Sequence, residues 1–421
     1  MTANRAIQLL VLGMFMATGY KAIAESKLPT SPLTYSVEYQ LSVNLKEQGL
    51  DVQISIEPAD LVHSLRFTNT NLRFQHLKAN GKLVETGQLV HWTPGKGKST
   101  LAYFVPINHA KNKEQFDAYM TSTWALFRGD DVIPTVITDY EDNTESRSIM
   151  TIKLPQGWKS ETAWPKSKLD KTHNTYVIDN PERKFDRPFG WILLGDIGSR
   201  RAKVSGTSLV VAAPKKSGVR RMDALTFFSF VWPQVKKTFG TVPEKLLIAG
   251  APDPMWRGGL SAPNSLYLHA DRPMVSENGT SPLFHEITHL ITRISGVVTA
   301  TTNDDWIAEG LAEYYSFELL YKAHGISKLR KKKILNKLAV WGKDIKHLRL
   351  SKSSGPVTAR AVVLMAELDE EIKLITQGRS SLDEVTRQLM KRRKVSLDDL
   401  QEIVQDIIGQ NSKTLQSPLL K

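Results

Sequence analysis

From residue 35 to residue 45 every second side chain is apolar, whereas from Ser281 onward apolar residues recur every three or four. Those two periods constrain the chain more than any other feature. A period of two places Tyr35, Val37, Tyr39, Leu41, Val43 and Leu45 on one face of a half-buried strand. A period near 3.6 gives helices with one apolar stripe. A chain that reads as strands first and helices last is α+β, with its chemistry expected near the junction.

Leu50, Val52, Ile54 and Ile56 repeat the alternation after a turn at Gln48-Gly49, predicting a hairpin. Short strands punctuated by Gly, Asn and Pro continue to about Leu154, and 175–178 is a last one. Residues 25–188 are therefore expected to form an antiparallel β domain. His63, His76, His91, His109 and His173 are scattered through it without ligand spacing, and read as surface or structural. Residues 189–421 are expected to form a second, mixed and then helical domain. Its predicted elements are strands at 190–194, 208–213, 246–249 and 265–269, and a helix at 222–239 kinked at Pro233.

Arg5, an apolar stretch at 6–19 and the small-x-small pattern Ala22-Ile23-Ala24 predict a signal peptide over 1–24. The expectation is a secreted protein of a bacterial periplasm, with no stable membrane insertion after cleavage. The 421 residues contain no Cys, which excludes disulfides, thiolate nucleophiles and Cys-held metals. Any metal must be held by His and carboxylate. The formal charge of +13 includes basic runs at 328–333 and 391–394, but both sit beside amphipathic stretches and lack interleaved aromatics. They read as solvated helix faces, so no nucleic-acid partner is expected.

The informative segment is Ser281-Pro282-Leu283-Phe284-His285-Glu286-Ile287-Thr288-His289-Leu290. Ser281 suits an N-cap and Pro282 the first helical position. Gly296 is the expected stop. On a helix, residues four apart lie about 40° apart around the axis, so His285 and His289 aim at one point with Glu286 beside them. A second helix is expected after Asn303-Asp304-Asp305, reading Trp306-Ile307-Ala308-Glu309-Gly310-Leu311-Ala312-Glu313. A catalytic zinc keeps three protein ligands and an open position, which makes Glu309 the expected third ligand. Glu313, one turn on, is placed to accept the second N–H of a metal-bound imidazole.

These segments resemble the gluzincin metallopeptidases, in particular the aminopeptidase-N-like enzymes and glycyl aminopeptidases, which carry HExxH followed by W-x-x-E-G-[FL]-A. The resemblance covers about residues 190–405. It implies a thermolysin-like catalytic domain, one Zn2+ per chain on His285, His289 and Glu309, Glu286 as general base, and a peptide or protein substrate. Gly258-Gly259-Leu260 with Asn264 resembles the family's substrate-binding edge strand, and residues 379–385 resemble a segment of the helical region.

The sequence departs from that pattern in three places. Nineteen residues separate His289 from Glu309, one more than usual in the aminopeptidase-N-like enzymes. Ser261-Ala262-Pro263 follows the edge-strand glycines where the family has an amine-binding glutamate, which favours cleavage within a peptide. Val357 stands where the oxyanion-steadying tyrosine belongs, and Tyr314, Tyr315, His347 and Arg360 are the candidate substitutes. Two rival readings follow. One is a catalytically weakened zinc-binding homologue with a binding or regulatory role. The other is an interaction module with a structural zinc, which the three-ligand set argues against because structural sites are normally closed by four.

Overall fold

The computed structural model describes residues 32–168, 174–179, 185, 187–350 and 352–421. The expected signal segment and His173 lie outside the described residues.

The alternating segment is a strand, Leu33–Asn44, with Tyr35, Val37, Tyr39 and Leu41 fully buried. It pairs antiparallel with Gly49–Glu57 in the expected hairpin, Tyr39 opposite Ile54 and Leu41 opposite Val52. Its other edge pairs in parallel with Thr144–Lys153. The β-rich part is thus antiparallel except at this pair. A parallel neighbour needs a crossover of a dozen or more residues, and the strands between the two supply it. Alternation alone fixes which face is buried and says nothing of partner direction.

Strand Trp191–Gly195 is buried along its whole length. It hydrogen bonds to Trp124–Arg128 and Lys159–Thr162, both from earlier in the chain. Its Trp191 and Leu193 share a core with Val210, Leu247 and Tyr267 of a second sheet. That second sheet has five strands, in the order Ile197–Val204, Thr207–Pro214, Lys245–Ala251, Ser265–His269, Gly259–Ala262. Its middle is parallel. Helix Arg221–Phe239 connects Thr207–Pro214 to Lys245–Ala251, runs unbroken through Pro233, and buries Phe228, Val231, Trp232 and Val235.

Beyond residue 281 the described elements are almost all helical: Pro282–Thr292, Asp305–Lys322, Lys328–Trp341, Pro356–Ile375, Leu382–Arg392 and Leu397–Ile408. Asp305–Lys322 is buried along most of its length, Glu318 included, as befits a helix surrounded by neighbours. Its packing partners include the helices at 282–292, 356–375 and 221–239. In the basic runs, Lys331 pairs with Glu318, and Arg392 with Asp399 and Glu402. Among the described residues no helix is long and apolar enough to cross a membrane.

Candidate metal centre

Helix Pro282–Thr292 begins as its sequence requires. Ser281 Oγ accepts from the Phe284 N–H at 3.4 Å, and proline follows at the first position. Leu283, Phe284 and Ile287 are buried, with Phe284 against Phe227 and Phe228. The helix ends at Thr292, short of Gly296: Arg293 adopts a left-handed conformation (φ 51°) and its N–H closes on His289 O at 2.9 Å. His285, Glu286 and His289 occupy the remaining flank, each half-buried.

The second helix starts at Asp305, where Asn303 Oδ1 accepts the Asp305 N–H at 3.0 Å. Asp304 does not cap it. Its buried carboxylate instead accepts from Arg349 Nε (2.7 Å), Arg349 Nη2 (3.2 Å), Trp306 Nε1 and the Leu397 N–H. That hub ties the second helix to the segment leading into 353–359 and to the C-terminal helices. The sequence held one overlooked signal for it, a second acid beside a cap position with no capping duty.

The two helices bring three donors together. His285 Nε2 lies 3.2 Å from His289 Nε2 and 3.4 Å from Glu309 Oε2, and His289 Nε2 lies 3.5 Å from Glu309 Oε1. Ligands at about 2.0–2.1 Å around a tetrahedral zinc lie about 3.3 Å apart, close to these separations, with Glu309 turning a different oxygen toward each imidazole. Glu313 Oε2 stands 3.0 Å from His285 Nδ1. A carboxylate there holds the proton on Nδ1 and turns the Nε2 lone pair toward the centre. Burial lowers the His285 pKa, but hydrogen bonds and charge from Glu309 and Glu313 outweigh it and push the value up to about 10. Burial raises that of Glu309, and the two imidazoles override it, holding the carboxyl well below its ordinary range. Two imidazoles and two carboxylates in mutual contact form a set that could hold a cation. Glu313→Ala is expected to weaken metal affinity about 10- to 100-fold, measured by competition with a chelator; wild-type affinity would remove that role.

Glu286 is not among the three. Its Oε2 accepts the backbone N–H of Ser261 at 3.0 Å. Ser261 belongs to the edge strand Gly259–Ala262, so Gly258 flanks that strand and Asn264 lies off it, in the turn that follows (φ 52°). The His269 N–H donates to Gly258 O at 3.0 Å. By antiparallel parity Gly258, Leu260 and Ala262 bond to the neighbouring strand, while Gly259 and Ser261 turn their N–H and C=O outward. The outward Ser261 N–H is the one Glu286 takes.

A cavity of about 330 Å³ opens beside the centre, lined by His285, Glu309 and Glu313 and by residues of 338–341 and 353–359. No tyrosine lines it. Tyr314 and Tyr315 are buried, one hydroxyl on Asp369 at 2.7 Å, the other on Asp383 and Thr386. Burial pushes both phenols well above their ordinary range. His347 and Arg360 are not among the lining residues either. Asp253, His269 and Asp271 also approach one another. There His269 Nδ1 accepts the Asp271 N–H at 3.1 Å, so a neutral ring carries its proton on Nε2. Arg257 holds both Asp253 oxygens. A protonated nitrogen and an occupied carboxylate make a poor second metal site.

No protein-family model matches the chain, and no curated protein matches it by sequence. Solved structures do. An aminopeptidase N family protein from Idiomarina loihiensis superposes with a TM-score of 0.62 at 16% identity, over 91% of this chain and 74% of that one. An M1 zinc metallopeptidase from Deinococcus radiodurans gives 0.55 at 14% identity, over 93% and 94%. The chain shares their fold. The likeness runs through both the β-rich part and the helices that carry the donors, so it covers more than the two motif segments.

Proposed function

We propose that the chain is a zinc metallopeptidase of gluzincin type. The observation that carries this reading is the pairing of an open three-donor centre with a separate carboxylate, Glu286, held beside it on the edge strand. His285, His289 and Glu309 would hold the ion, and Glu313 would orient His285. Bound there, zinc supplies Lewis acidity and lowers the pKa of a coordinated water toward neutrality. Glu286 takes the proton of the attacking water and passes it to the leaving amine. The Ser261 N–H on Oε2 fixes the carboxylate and leaves its other oxygen for that transfer.

The outward Gly259 and Ser261 groups suit an extended substrate that adds to the sheet as a further strand. Such pairing needs no free terminus. An aminopeptidase must in addition neutralise a terminal ammonium, since a desolvated charge without a partner costs several kcal/mol. The strand bears no carboxylate, and Asp253 near its start is engaged by Arg257. Cleavage within a peptide is therefore favoured. The expected signal segment and the lack of Cys support a secreted, periplasmic enzyme, with residues 189–421 as its catalytic domain and residues 25–188 as a β-rich one whose sheet also takes in strand Trp191–Gly195.

The test compares one peptide with a free and with an acetylated N-terminus. Equal internal cleavage of both is expected. Release of single residues that stops on acetylation would assign exopeptidase action instead. One observation favours the rival reading of a weakened, binding homologue: the cavity has no tyrosyl hydroxyl, and losing one oxyanion donor typically costs about 10²–10³ in rate. A zinc-loaded protein that cleaves no member of a peptide library would put that reading first.

A further inference from the structure

We propose that Trp341, with Leu338 beneath it, selects a large apolar or aromatic side chain of the substrate next to the scissile bond. This rests on the peptidase reading and adds the substrate class.

Helix Lys328–Trp341 is a polar surface helix whose buried residues are Ile334 and Leu338. Its last residue, Trp341, is 54% exposed, yet it lines the cavity that also holds His285, Glu309 and Glu313. An indole in that place does little for the core. Gly355 lies against the indole: a Cβ there would sit 3.7 Å from Trp341 Cζ2, at van der Waals contact. The φ of 53° there is one that glycine adopts without strain. Leu338, 5% exposed, and the buried Ala359 complete an apolar wall.

Two of the three hydroxyls of this wall are matched to each other, and the third, on Ser354, is exposed to solvent. Ser353 Oγ and Thr358 Oγ1 lie 2.9 Å apart, and both residues are buried. The charged lining residues, Glu309 and Glu313, face the imidazoles. An anionic substrate side chain would lose its water beside two carboxylates, whereas an apolar one gains by burial against Trp341, Leu338 and Ala359. At about 330 Å³ the cavity stands at the small end of ligand pockets, suited to one side chain rather than a separate ligand. None of its lining residues belongs to the edge strand, so it can receive a side chain from a backbone paired on the other side of the centre.

The experiment uses zinc-loaded protein and peptides that vary only at the two positions flanking the cleaved bond. The wild type is expected to prefer Phe or Leu over Gly or Asp at one of them. Trp341→Ala should lower the large-over-small ratio of kcat/KM about 10- to 200-fold, the range a lost apolar contact commands, mostly through KM. Trp341→Phe should retain most of it. The residue is more than half exposed, so an unchanged unfolding midpoint is expected for both. A second readout needs no turnover: in Glu286→Gln protein, the Phe peptide should perturb indole emission, and Trp341→Ala in that background should abolish the change. An unchanged ratio in Trp341→Ala overturns the assignment while the peptidase reading stands. If the wild type cleaves nothing, Trp341-dependent binding of the Phe peptide still supports the pocket and defeats the peptidase reading. Absence of such binding overturns the pocket.

Discussion

Replacing His289 with alanine should strip the protein of its metal. Purified protein is expected to hold about one zinc per chain, and the variant far less. The argument is geometric. Three donors separated by 3.2–3.5 Å enclose a single point, and removing one leaves His285 and Glu309 to hold the ion with water. A structural zinc bound by four ligands contributes roughly 10–16 kcal/mol, so one ligand is worth about 3 kcal/mol, roughly a hundredfold in affinity. The fold should survive, because the side chain is half-buried and alanine is a good helix former. A ligand that binds only the folded state raises its stability. A chelator should therefore lower the unfolding midpoint of the wild type and leave that of His289→Ala unmoved. Metal analysis showing unchanged zinc in the variant would overturn the ligand assignment.

The parts of this molecule that were legible in the sequence are those set by local periodicity. The hairpin at 33–57 and the strand Ser265–His269 follow from alternation and punctuation, because burial of one face fixes a period of two. The two site helices follow from stripe and cap, and the donor trio from spacing four apart plus a carboxylate on the next helix. What stayed hidden depends on contacts between distant residues. The parallel pairing of Leu33–Asn44 with Thr144–Lys153 leaves no trace in either strand. The helix end at Thr292 depends on Arg293 accepting a left-handed conformation, which no arginine advertises. Asp304 looked like a cap, and became instead the acid that Arg349 needs, 45 residues on.

The same distinction separates the proposed ligands from the groups proposed to position substrate. His285 and His289 reach one point through a single helix, so their relation is fixed by its pitch. Glu286 is held by Ser261, 25 residues earlier in the chain, and the cavity wall comes from a helix end and a loop more than thirty residues later. Val357 is informative for the opposite reason. Its position was aligned by sequence; the cavity beside the centre is lined on that side by Ser353, Ser354 and Thr358, and Val357 is not among its lining residues. His285, His289 and Glu309 thus come together as the sequence spacing predicts, whereas no tyrosine lines the cavity beside them.

Glu286→Gln should keep the zinc and lose hydrolysis. Glutamine retains an oxygen that can accept the Ser261 N–H, so the side chain and the edge strand should stay where they are. It has no basicity at neutral pH, and removal of a positioned general base typically costs about 10²–10⁴ in rate. Because Glu286 lies outside the donor trio, zinc content and affinity should match the wild type. Glu309→Ala supplies the contrast. It removes a donor lying 3.4 and 3.5 Å from the two imidazole nitrogens and should lose metal and activity together. Zinc content and peptide turnover measured side by side on the two variants separate the roles. Equal metal loss in both would make Glu286 a ligand and remove the base. Full turnover in Glu286→Gln, with zinc retained, would show that the water is activated by another group, and the Glu286 carboxylate bonded to the edge strand would then be a tether between helix and sheet.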